Sequence, residues 1–210
     1  MKRLTSIFLA FVLLLSLAFN AFAATGQALP DRIDGNTVWS YLDNNTDPSG
    51  NPSDAGYNRT AWTAADFDDS KWKTGAGGFG AKYGGEYSGA AVTLAGCPGD
   101  ETNYPTYYFR TKVNVNKASA VTAIKGSISY DDAAIIYING VKAAAFNEAG
   151  CNSNSSYSAN KANTTEGFEI TDSNALDALK NGENVIAVEV HNHYDRSSDI
   201  WFAMNELLEL

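Results

Sequence analysis

The sequence predicts an all-β sandwich with one short helix, and three observations carry that expectation. Short runs of alternating apolar and polar residues follow one another from Thr37 to the end of the chain. Clusters of Gly, Asn, Asp and Ser separate them, and helical periodicity is confined to one stretch. The first run is "TVWSYL". In "TYYFRTKVNV", Tyr107, Phe109, Thr111, Val113 and Val115 share one face, and Tyr108, Arg110, Lys112 and Asn114 share the other. That is a strand with one face on the core. "TAIKGSISY" repeats the alternation through Ile124, Ile128 and Tyr130. "AAIIYINGVKAAAF" has Asn139-Gly140 between two β-rich stretches, a tight-hairpin signal because both residues tolerate positive φ. "DSNALDALKNG" reads as a helix capped by Asp172 or Ser173, with Leu176 and Leu179 on its apolar face and Gly182 as its stop. "NVIAVEV" and "DIWFAMNELLEL" supply the last two strands, and "CNSNSSYSANKANTT" is a polar loop.

The N-terminus bears on compartment. Lys2 and Arg3 precede an apolar run from Ile7 to Phe19, which ends at Ala21-Phe22-Ala23. This is the pattern of a secretory signal peptide over residues 1–23, too short for a membrane span of roughly 20 apolar residues. Residues 24–36 then read as a leader into one domain, 37–210. The expected location is secreted or periplasmic, with no membrane anchor once the signal is removed. In such an oxidising compartment Cys97 and Cys151, the two cysteines of the chain, read by default as an intradomain disulfide, with two free thiols as the alternative. The chain carries 15 basic against 24 acidic residues, a formal net charge of −9. Lys2 and Arg3 lie in the signal, so the exported part is more acidic still. Nucleic acid is excluded as a partner on that balance, since affinity for it comes mainly from cations that neutralise phosphates.

Five stretches together resemble a known family: "WTAADFDDSKWKTGAGGFG", "YPTYYFRTKVNV", "SYDDAAIIYINGVKAA", "LKNGENVIAVEVHN" and "SSDIWFAMNEL". They are similar to the galactose-binding-like, carbohydrate-binding-module-like domains of secreted bacterial proteins, over roughly Trp39 to Leu210. The resemblance implies a two-sheet antiparallel jelly roll, with ligands held by loops at one end or on a concave sheet face. It does not imply catalysis. The chain departs from the pattern in the long stretch between Gly80 and Tyr104 and in the long loop that carries Cys151. In the resemblance, Trp62, Trp72, Phe67 and Phe79 occupy skeleton positions and read as core.

The residues of chemical interest divide as follows. His191 and His193 share parity on an extended chain, but a zinc site needs three or four converging ligands, and a third would have to come from Asp195, Asp199 or a distant acid. His191 matches the end of a core strand, so both histidines read as structural. Asp131 and Asp132 are adjacent, and adjacent residues of a strand face opposite ways, so the pair does not suit the acid and base of a glycosidase. Asp132 remains a candidate for bracing a loop or holding a sugar hydroxyl. "DNNTDPSGNPSD" has the oxygen side chains of a calcium loop at Asp43, Asn45, Asp47 and Asp54, but Pro48 stands where an EF-hand needs glycine. It reads as a solvated turn. No cofactor is expected, and a structural calcium ion is the one exception left open. There is no G-x-S-x-G, P-loop or dinucleotide fingerprint, and no catalytic residue is assigned.

The expected ligand site is a rim of loop aromatics and polar residues: Tyr83, Tyr87, Tyr104, Asp132, Tyr157, Asn192, Tyr194, Asp195 and Arg196. Sugar rings stack apolar C–H faces on aromatic rings, and Asp, Asn and Arg satisfy their hydroxyls. The expected function is a non-catalytic module recognising carbohydrate. The alternatives are an extracellular protein-interaction or structural module and, behind it, a small hydrolase or lyase using a histidine or a metal.

Overall fold

A computed structural model of the chain describes residues 31–99 and 102–209. The expected signal peptide lies outside the described residues, as does most of the leader. Twelve strands form two sheets. The first holds β10 (Thr164–Ile170), β7 (Ile124–Asp131), β12 (Asp199–Glu209), β4 (Phe79–Lys82) and β5 (Val92–Thr93) in that order, with β1 (Ile33–Asp34) also paired to β12. The second runs β3 (Lys73–Ala76), β2 (Val38–Leu42), β6 (Thr106–Val115), β11 (Gly182–His191), β8 (Ala133–Ile138) and β9 (Val141–Phe146). Only β4 and β5 pair in parallel among them. The chain is an all-β sandwich. β1 lies within the stretch read as leader, and Ile33 is fully buried, so the sandwich begins before residue 37.

Alternation places the core. Trp39 and Tyr41 of β2, Phe79 of β4, Phe109 of β6 and Phe202 of β12 meet between the sheets, with the Phe109 and Phe202 rings 4.3 Å apart. Burying side chains of this size stabilises the fold by roughly 1.5–3 kcal/mol each. The Asn139-Gly140 hairpin forms between β8 and β9, with φ of 46° and 94°. Asn139 also ties the turn inward, donating to the Ala178 carbonyl at 2.8 Å and accepting from Val185 N at 2.8 Å. The expected helix is α1 (Ser173–Asp177). Its cap is Asp172, whose Oδ1 accepts from Asn174 N and Ala175 N.

One face of β6 departs from expectation. Tyr108 and Arg110 are buried although their parity points away from the main core. The segment 43–72 folds across the outer face of the second sheet and makes a second apolar layer there. Trp62 sits edge-on to Tyr108 at 4.8 Å and to Tyr137 at 5.9 Å, and Phe67 and Trp72 pack beside it. Two arginines fasten the segment: Arg110 Nε donates to Asp69 Oδ2 at 3.0 Å, and Arg59 reaches Glu189 with 2.8 Å to each carboxylate oxygen. Burial alone would raise the Glu189 carboxyl, but His191, Arg59 and Tyr137 outweigh it and hold the group below its ordinary value.

The two layers also correct the disulfide. Cys97 belongs to the core between the sheets, Cys151 to the layer on the outer face of the second sheet, and both are free. A bridge needs Cα atoms within about 7 Å, and the two thiols lie in different layers. Burial pushes both thiols up to about 12.

Candidate binding rim

Three loops close one end of the sandwich and hold one another there. Tyr83 N donates to the Ser198 carbonyl at 2.9 Å, Gly84 N to Cys97 O at 2.7 Å, and Asn103 N to Asp195 O at 3.0 Å. The Tyr157 hydroxyl donates to Asn103 O at 3.1 Å, and Ser158 N to Asn192 O at 2.9 Å. The stretches around residues 83–104, 151–163 and 192–198 therefore form one rim.

The outer face of the first sheet runs up to this rim. In β12, Ile200 and Phe202 point inward and are fully buried, so Asp199 and Trp201 point out. Trp201 stands in register with Asp131 of β7 on one side and Gly80 of β4 on the other. Its ring lies flat over bare backbone: a Cβ on Gly78 would be 2.6 Å from it, and one on Gly80 2.7 Å. Glycine is required at both positions by that close approach. Tyr87 packs on Trp201 with ring centroids 4.9 Å apart, and its hydroxyl accepts from Asn163 Nδ2 at 3.1 Å. Lys82 Nζ sits 5.7 Å from the Tyr87 ring and pairs with Asp199 Oδ2 at 3.2 Å. The result is a half-buried aromatic shelf edged by a carboxylate, an ammonium and a carboxamide.

Asp131 and Asp132 are joined by a cis peptide bond. Burial, then the neighbouring charges of Asp132 and Asp199, push the Asp131 carboxyl up to about 8. Asp132 is buried and accepts from Lys161 N at 2.8 Å and from His193 N at 3.0 Å. It also meets His193 Nδ1 at 2.8 Å, while His193 Nε2 faces Asn160 Nδ2 at 3.0 Å. The Tyr194 ring packs tilted against His193 at 4.3 Å and is 44% exposed. His191 faces elsewhere, fully buried against Thr106 and the Ser156 carbonyl on the second sheet. The two histidines do not converge, and among the described residues no group of three or more His, Cys, Asp or Glu is placed to hold a metal ion. In the acidic loop, Asp43 spends its oxygens on Lys73 and Ala95 N, and Asp47 on Ser49 N and the Tyr57 hydroxyl.

Of the expected site residues, Tyr83, Tyr87 and Tyr194 reach the surface of the rim, and Asp195 and Arg196 are exposed beside Tyr194. Tyr83 is 66% exposed. Asp132, Asn192 and Tyr157 hold the loops from within, and Tyr104 packs on the core beside Tyr107. Trp201, Lys82, Asp199 and Asn163 were not among the expected residues. The signal for Trp201 was in the sequence: in "DIWFAM" it has the parity of Asp199, opposite to Ile200 and Phe202.

No family model and no curated protein matches the chain. Solved structures similar to it include a β-glucuronidase from glycoside hydrolase family 2, at 19% identity and a TM-score of 0.42 over 78% of this chain. A Bacteroides uniformis β-glucuronidase is similar at 15% identity and 0.42 over 81%, and one from an uncultured Clostridium sp. at 14% and 0.39 over 79%. The chain spans 14%, 17% and 23% of the length of those three proteins.

Proposed function

We propose that this protein is an exported, non-catalytic module that binds carbohydrate at the rim. One observation carries the reading: the Tyr87–Trp201 shelf lies on the outer face of the first sheet with Lys82, Asp199 and Asn163 at its edge. An aromatic face beside polar groups of both hydrogen-bonding senses suits a sugar ring, whose C–H faces stack while its hydroxyls are satisfied around the edge. The strongly acidic composition supports a neutral or cationic ligand over a polyanion. Both rings of the shelf are only partly buried on the surface, so little of a ligand is enclosed and a dissociation constant of roughly millimolar is expected. The motifs shared with galactose-binding-like domains point the same way. A glycan array probed with the wild type and with Trp201→Ala tests this: the wild type retains sugars that the variant does not. Failure of the wild type to retain any sugar, with a protein surface captured instead, would favour an interaction module.

A further inference from the structure

The rim carries a second aromatic pole that the shelf does not use. His193 and Tyr194 pack at 4.3 Å with their rings tilted by 43°, the His193 ring held by Asp132 and its Nε2 turned to Asn160. Four consecutive residues, 160 to 163, join this pole to the first: Asn160 touches His193, and Asn163 touches the Tyr87 hydroxyl. Three Cα steps of 3.8 Å limit the separation of Asn160 and Asn163 to about 11 Å. Both asparagines are exposed, so the strip between the poles faces solvent. Tyr87 and Tyr194 come from different loops, and their rings pair with different partners, Tyr87 with Trp201 of β12 and Tyr194 with His193.

We infer that the rim takes a chain of linked sugars, with one ring on the Tyr87–Trp201 shelf and another against Tyr194, the asparagines of 160–163 meeting the hydroxyls between them. This rests on the carbohydrate reading above. Linking two weak contacts makes the second one intramolecular, so affinity rises with ligand length until both poles are filled.

Calorimetric titration tests it with glucose, galactose and N-acetylglucosamine and their β-linked oligomers from dimer to pentamer. At least one series should tighten by about tenfold or more between the single sugar and the longest oligomer. Tyr194→Ala should cost the oligomer about tenfold more affinity than it costs the single sugar, with Tyr194→Phe restoring the loss. Equal affinity for the single sugar and its oligomers, or a Tyr194→Ala effect equal on both, overturns the two-pole arrangement and leaves the shelf intact. Binding by no member of the panel instead counts against the carbohydrate reading itself.

Discussion

Asp131 is held above the ordinary carboxylate range by burial and by Asp132 and Asp199, with a pKa raised from 3.8 to about 8. Folding therefore takes up a proton at this site between those values. The sign follows: this group favours the folded state most at the acid end, and stability falls as pH rises through the window. Asp131→Asn, which carries no charge, should gain on the wild type progressively from about pH 4 to pH 8, read as melting temperature against pH. A constant difference between the two proteins would show that Asp131 does not titrate there. Glu189→Ala should cost roughly 2–4 kcal/mol in urea unfolding, because it strands the Arg59 guanidinium and the Tyr137 hydroxyl in a buried layer. At this scale the sequence showed Tyr83, Tyr87 and Tyr194 as surface aromatics. It did not show Tyr104 as a packing residue, because loop position says nothing about which loops fold back on the core.

The strands were legible because alternation is local: Ile124, Ile128 and Tyr130 in β7, and Ile200, Phe202 and Met204 in β12, all point into the core as their spacing implies. The helix was legible through its cap, and Asp172→Ala should cost about 1 kcal/mol, measured by denaturant unfolding, as the amides of Asn174 and Ala175 lose their acceptor. The covering segment 43–72 was not legible as a layer. Its contacts join residues far apart in sequence, such as Arg59 to Glu189 and Trp62 to Tyr137, and no periodicity within the segment announces them. The shelf depends on an element in the same way. A side chain at position 80 would meet Trp201 at 2.7 Å and Tyr87 at 3.1 Å, so Gly80→Ala should displace both rings. Its expected signature is a fall in sugar affinity of about tenfold with a cooperative unfolding transition retained, measured by titration and by melting.

Across the whole molecule, two apolar layers share the second sheet, and the cysteines are divided between them. Reductant should leave the melting temperature unchanged, and a thiol reagent should label both cysteines only after unfolding, since burial holds each thiol near 12 in the native state. The disulfide expected from an exported chain failed for a topological reason: compartment predicts that cysteines can pair, while the layers decide whether they meet. The same topology leaves one end of the sandwich, where three loops are bonded together, to present polar and aromatic groups to solvent, the surface proposed to bind carbohydrate. The most direct measurement of that proposal is a nuclear magnetic resonance titration of the isotope-labelled sandwich domain with β-linked gluco-oligosaccharides. Shifts should concentrate at residues 82–87, 160–163 and 193–201, with the Trp201 indole among the largest. Shifts centred on Trp62 and the 43–72 layer, with the rim unmoved, would contradict it.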